Sequence, residues 1–166
     1  MNEPDQLAAL HEVHALLTAN GIEYWLFGGW AVDFYVGRVT REHDDVDVAV
    51  WLEDQERIAK LLLAQGWRHA PEEDEDGGTG YERNGVRLEL TFLVRDEDGD
   101  LSIPLRAGDV RWAPREGFSD DVRELNGVRA RVIGLAQLTR GKSRARDDPA
   151  DAAKDRADSA TLSRLG

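Results

Sequence analysis

A glycine pair closing one apolar run, Gly28-Gly29, and two carboxylates spaced i, i+2 in a second apolar run, Asp45-Val46-Asp47-Val48, constrain this chain more than any other feature. Successive strand side chains point to opposite faces, so Asp45 and Asp47 share one face and Val46 and Val48 the other. Two carboxylates on one face repel unless a cation lies between them. The flanking Val46, Val48, Val50 and Trp51 mark a mostly buried strand, where an ionised carboxylate needs a partner. The pattern points to Mg²⁺ at the aspartates. The glycine turn points to phosphate, because glycine lets backbone N–H groups approach phosphate oxygens and a helix N-terminus adds a favourable dipole.

At 166 residues the chain is long enough for one domain with a proper core, with room for a small helical appendage. It has no cysteine, which excludes disulfides, thiolate zinc sites and cysteine nucleophiles. Glu3, Asp5 and Glu12 are the opposite of a signal peptide, and no apolar run reaches membrane-spanning length, so a cytoplasmic protein with no membrane partner is expected. The formal net charge is −12, from 33 acidic and 21 basic residues. That field opposes tight binding to duplex nucleic acid and suits a cationic small molecule, although acidity also simply keeps a protein soluble.

The hydrophobic pattern predicts a helix over 5–19, ended by Asn20-Gly21, and a strand over 22–27. A short helix over 30–36, closed by Gly37, leads through a cationic loop into a strand over 45–51. A helix over 53–65 stops at Gly66, and 67–70 reads as a short strand. Residues 71–80 form the clearest loop, with five acidic residues and then Gly77-Gly78. Strands over 81–83 and 86–94 form a hairpin turning at Asn84-Gly85. Further strands are expected over 110–112, 121–125 and 128–133, and helix from 135 onward, broken near Asp147-Asp148-Pro149. Hairpins among interleaved helices and strands imply an α+β protein with a mixed sheet flanked by helices. The expected division is 1–133 as the main domain and 134–166 as a C-terminal helical segment packed on it.

A third carboxylate stands in an alternating strand, where Leu88, Leu90 and Phe92 take one face and Glu89 and Thr91 the other. A neighbouring strand would set Glu89 beside Asp45 and Asp47. Three carboxylates around Mg²⁺ suit phosphoryl transfer, and the third can also act as general base. Asp44 faces away from the pair and reads as a loop anchor. His43 can orient a carboxylate or contact phosphate. Gly141-Lys142-Ser143 is no Walker motif, since the position that needs glycine is Ala136. Lys142 and Lys154 are candidate phosphate ligands, with solvated helical lysine as the plainer reading. His11 and His14 read as surface.

Taken together, residues 24–33 (Tyr-Trp-Leu-Phe-Gly-Gly-Trp-Ala-Val-Asp), Gly37-Arg38 and Arg41-Glu42-His43-Asp44-Asp45-Val46-Asp47 resemble the nucleotidyltransferase superfamily related to DNA polymerase β. Within it they are most similar to lincosamide nucleotidyltransferases and aminoglycoside 2''-adenylyltransferases, which modify antibiotics. The specific match covers about residues 22–51. Beyond it the likeness rests on Glu89 and on Lys154-Asp155-Arg156-Ala157-Asp158. The resemblance implies the polymerase β-like fold with C-terminal helices and ATP, or another nucleoside triphosphate, as donor. It implies Asp45 and Asp47 as Mg²⁺ ligands, Glu89 as the third ligand and proton acceptor, and Gly28, Gly29 and His43 lining the triphosphate. The acceptor would be a hydroxyl-bearing, cationic small molecule, plausibly a lincosamide or aminoglycoside. Little chain is left for a large acceptor domain, so a homodimer is an expected source of the missing wall. The acidic loop over 72–76 either attracts a polycation or is a solvated turn. A regulatory module of the antitoxin type, modifying or binding a partner protein, is the alternative class.

Overall fold

The computed structural model describes residues 3–114, 118, 121–142 and 149–165. It opens with helix α1 (Glu3–Ala19), whose Leu7, Leu10, Val13 and Leu17 fall on one stripe and are buried. Each such side chain contributes roughly 1.5–3 kcal/mol by leaving water. Strand β1 (Tyr24–Phe27) runs directly into α2 (Gly28–Val36), which ends on Gly37 in the left-handed conformation, as the sequence predicts. A loop leads to β2 (Val46–Trp51), a 3-10 turn at Leu52–Asp54, and α3 (Gln55–Ala64). Then come β3 (Arg68–His69), β4 (Gly78–Arg83), β5 (Val86–Arg95), β6 (Leu101–Ile103) and β7 (Val110–Ala113). The hairpin β8 (Val122–Leu125) and β9 (Val128–Arg131) precedes α4 (Leu135–Lys142) and α5 (Pro149–Ser163).

The main sheet runs β1-β2-β5-β4-β3, with β6 extending from the end of β5 and β7 beside it. Only the central β2–β5 pair is parallel; the other pairs are antiparallel. The sheet is therefore mixed and helix-flanked, an α+β architecture, as expected from the hairpins. Asn84 and Gly85 both have positive φ (51° and 80°), the geometry of the two-residue turn that the sequence signals. After β9 the chain meets β1 through a parallel bridge between Leu26 and Val132, and Ile133 N–H donates to Leu26 O at 3.0 Å. Helices α4 and α5 both pack against α2. The core gathers Tyr24, Leu26, Trp30 and Phe34 from the β1–α2 unit with Val48, Val50, Leu88 and Leu90 from the central strands.

Several boundaries differ from expectation. Asp45 lies just before β2, because the loop pairs only from Val46 onward. The loop expected over 71–80 ends earlier: Gly78-Thr79-Gly80 already pairs with β5, which glycine permits where a side chain would collide with the neighbouring strand. The three-residue β6 is a strand the periodicity does not reveal. His14 is not a surface residue, since its Nδ1 lies 2.6 Å from the buried Tyr24 hydroxyl; His11 is exposed as expected. Among the described residues no helix is long and apolar enough to cross a membrane.

Candidate active site

The parallel register of β2 and β5 pairs Asp47 with Glu89, with Val46 opposite Leu88 and Val48 opposite Leu90. Cα partners in a ladder project to the same face, so the apolar partners enter the core and the two carboxylates stand together on the other side. Asp45, one residue outside the ladder, is hydrogen-bonded to Asp47 through their side chains. Burial raises the Asp45 carboxyl above the ordinary carboxylate range, and the Asp44 charge adds to this; the Asp47 bond, Lys154 and Arg87 pull the other way. Burial likewise raises Glu89, against the lowering effect of its bond to Arg87, and the Asp45 charge reinforces the rise. The site concentrates negative charge where solvation is poor, which favours a cation or a proton.

The glycine pair lies directly beneath these carboxylates. Gly28 has φ +73°, and a Cβ there would run into the Asp47 carboxylate. Gly29 is needed for a different reason: a Cβ there would sit 2.6 Å from His43 Nδ1 and 2.5 Å from an Arg41 nitrogen. These two residues open α2, whose N-terminal cap, Phe27, offers no side-chain hydrogen bond. No side chain of the cap residue competes with an anion for the first-turn N–H groups.

His43 takes a supporting place. It is buried, with Nε2 2.5 Å from Asp33 Oδ2 and its ring tilted over Trp30 at a centroid distance of 4.5 Å. Its carbonyl accepts from Gln6 Nε2 at 2.8 Å, and Gln6 Oε1 accepts from Trp30 Nε1 at 3.2 Å. Asp33 Oδ1 in turn accepts from Thr40 N–H and hydroxyl at 3.2 and 2.5 Å. The His43 Nε2 thus takes one of the two readings given by the sequence, a histidine that orients a carboxylate, while its Nδ1 side lies against Gly29. That carboxylate is Asp33 on α2, and the pair fixes the loop from beneath.

Helix α5 closes the loop from the side. Arg41 makes a two-pronged bond to the buried Asp158, both distances 2.9 Å, and Lys154 Nζ bonds Asp44. Asp44 is thereby the loop anchor the sequence suggests, and the lysine bond lowers its pKa. Lys154 lies near enough to lower the Asp45 value as well. Lys142 falls in the last turn of α4, with its side chain outside the described residues.

The three carboxylates share one face but do not form a finished cage. Among the described residues no group of three or more Asp, Glu or His is disposed to hold a metal ion. Arg87, two residues before Glu89 on the same face of β5, engages the third carboxylate through a bond from its Nε to Glu89 Oε1. The alternation of β5 already places Arg87 there, but sequence reasoning passed over it. Asp45 and Asp47, by contrast, fit a hard divalent cation: both are oxygen donors, adjacent, partly desolvated and mutually repelling when ionised. Beyond Glu89 lies a cleft of roughly 290 Å³ lined by Glu72, Glu75, Asp76, Thr79 and Thr91. Arg106 anchors its acidic loop through N–H to Asp76 Oδ1 (3.0 Å) and a side-chain bond to Glu75 O.

Two solved structures illustrate proteins that share this fold. A crystal structure of ANT(2'')-Ia in complex with adenylyl-2''-tobramycin superposes with a TM-score of 0.74 at 22% identity, covering 98% of this chain and 90% of that one. Lincomycin-bound LnuA, a lincosamide antibiotic adenylyltransferase, gives 0.72 at 17% identity, covering 100% and 99%. The profile of the aminoglycoside-2''-adenylyltransferase family matches residues 9–162, and the chain belongs to that family. A 2''-aminoglycoside nucleotidyltransferase of Klebsiella pneumoniae is 33% identical over 69 residues, 42% of this chain and 39% of the relative. A lincosamide resistance protein of Staphylococcus haemolyticus is 34% identical over 47 residues, 28% and 29% of the two chains. The matched segments thus span well under half of these relatives.

Proposed function

We propose that this protein is a Mg²⁺-dependent nucleotidyltransferase that moves a nucleoside monophosphate, AMP from ATP in the leading case, onto a hydroxyl of a cationic antibiotic. The observation that carries this reading is the register that sets Glu89 beside Asp47 directly above an uncapped glycine-opened helix. Family membership supports it, and the carboxylate-lined cleft next to Glu89 favours an aminoglycoside over an uncharged acceptor.

In this account Asp45 and Asp47 would hold a divalent cation, whose charge would offset that of the triphosphate. The N–H groups that open α2 at Gly28 and Gly29 receive phosphate oxygens, and Lys154 is placed to add a positive charge when released from Asp44. Glu89 accepts the proton of the acceptor hydroxyl; burial makes it more basic than an ordinary carboxylate. Arg87 holds Oε1, and the other carboxylate oxygen has no partner among the described residues. The hydroxyl oxygen then bonds to the α-phosphorus in line. The bond from that phosphorus to the bridging oxygen breaks, and pyrophosphate leaves with the electron pair. Glu89 would join Asp45 and Asp47 as a third ligand on giving up its bond to Arg87. Residues 1–133 supply this chemistry, with the 134–166 segment contributing Lys154 and Asp158. A cytoplasmic site of action suits a donor such as ATP, and a homodimer would add a wall to the open cleft.

The test is incubation with MgATP, and separately with the other nucleoside triphosphates, against a panel of aminoglycosides and lincosamides. Pyrophosphate release and a mass gain of one nucleotidyl group on an aminoglycoside are expected. No transfer to any acceptor with any nucleotide would overturn the reading.

A further inference from the structure

Arg87 is a cationic group on the carboxylate face of β5, next but one to Glu89, and it is engaged on several sides. Its Nε binds Glu89 Oε1. Its Nη1 donates to Ala70 O at 3.0 Å and to Glu82 Oε1 at 3.1 Å. Its Nη2 lies 3.6 Å from Glu72 Oε1, an ionic contact too long for a hydrogen bond, so this buried nitrogen has no hydrogen-bond partner. The guanidinium is seated over Gly80, whose Cα stands opposite Glu89 in the β4–β5 ladder; a Cβ there would collide with Nη2. A planar fork with several donors in fixed directions is what such a junction requires, and a lysine ammonium cannot reproduce it.

The groups it joins belong to different parts of the site. Glu89 stands at the carboxylate face. Ala70 and Glu72 are the root of the acidic loop that forms the cleft rim. Resting on the transferase reading above, we propose that Arg87 is a positioning residue for transfer. It ties the Glu89 carboxylate to the root of the acidic loop, so that the proton acceptor and the acceptor-binding rim keep one geometry. The tie runs through one side chain and bridges strand β5 to a loop more than ten residues earlier in the chain. Loss of the guanidinium removes the fixed direction of Glu89 and frees the loop together. The far end of that loop remains held by Arg106.

Steady-state kinetics with MgATP and tobramycin, run beside hydrogen-exchange mass spectrometry of the ligand-free protein, test this. In Arg87→Gln we expect kcat to fall at least tenfold and the tobramycin KM to rise severalfold, with the ATP KM within twofold of wild type. Amides over 70–77 should exchange at least tenfold faster. Arg87→Lys should recover part of kcat, through its charge beside Glu89, but not the loop protection. Gly80→Ala keeps every charge and displaces the guanidinium, its Cβ meeting Nη2 and Cζ and coming within 3.2 Å of Ala70 O; it should show the same signature in smaller measure, and it serves if Arg87→Gln does not fold. Arg83→Gln removes a comparably buried arginine that binds Glu12 outside the site, and should leave kcat, both KM values and the 70–77 amides unchanged. Wild-type kcat in folded Arg87→Gln, or unaltered exchange over 70–77, would overturn the proposal. An inactive wild type would count against the transfer reading alone, and the exchange arm would still decide whether the tie exists.

Discussion

Two regions a few residues apart bury charge in opposite ways. Beneath the glycine turn, Asp33, His43, Thr40, Gln6 and Trp30 satisfy one another at hydrogen-bond distance. Above it, Asp45 and Glu89 are desolvated, repelled by each other, and raised in pKa despite Asp47, Lys154 and Arg87. A satisfied buried network specifies a shape. A crowded face of carboxylates left above its ordinary pKa range marks where the protein expects something from outside. The comparison assigns the lower region to architecture and the upper one to chemistry, and substitutions should separate them.

The largest contrast is in rate. Asp47→Asn, and likewise Asp45→Asn, should lower transfer roughly 10³-fold or more while circular dichroism remains native and neither variant melts below wild type. Near-normal turnover in either variant would break the assignment of the upper region. Next in size is the lower region. Asp33→Ala leaves the buried His43 without its partner and should cost about 3 kcal/mol in urea unfolding. Gly29→Ala overpacks the contact with His43 and Arg41 and should cost about 1–3 kcal/mol. A loss well under 1 kcal/mol in both would show that the network does not hold the turn.

A smaller effect runs the other way. A carboxyl raised on folding binds more protons folded than unfolded between its ordinary and its raised value. Stability therefore falls as pH rises through that window, and the loss is complete above the raised value. Asp45→Asn removes this burden, so the metal-free variant should be more stable than wild type at neutral pH, with a raised Tm. The advantage should vanish at acid pH and shrink when Mg²⁺ is added to wild type. Smallest is Lys154→Ala. Its pair with Asp44 is largely solvent-exposed and contributes at most about 0.5 kcal/mol, whereas the ATP KM should rise severalfold if the amine serves phosphate.

What the sequence reveals follows the same division. The carboxylate face is legible because strand alternation is a local code: Asp45-Val46-Asp47 and Leu88-Glu89-Leu90 state which side each residue takes. The glycine pair is legible because a turn between an apolar strand and a helix leaves few other options. The relation between the two strands is a matter of register, which only the folded sheet supplies. The supporting network is hidden for a physical reason. Asp33 and His43 meet across a turned loop, and Arg41 and Asp158 across a separation of 117 residues, so no periodicity marks them. Arg87 was readable from its spacing to Glu89, yet a cation beside a carboxylate reads as an ordinary surface pair until Gly80 and Ala70 are seen to enclose it. Strand β6 is too short to show alternation, and the glycines of β4 suggest loop until pairing shows that they make room for the neighbouring strand.

Calorimetric titration with a non-hydrolysable ATP analogue, with and without Mg²⁺, tests the central claim most directly. The account predicts Mg²⁺-dependent uptake by wild type that Asp47→Asn abolishes while Asp44→Asn retains it. Uptake that ignores Mg²⁺, or that survives in Asp47→Asn, would contradict it.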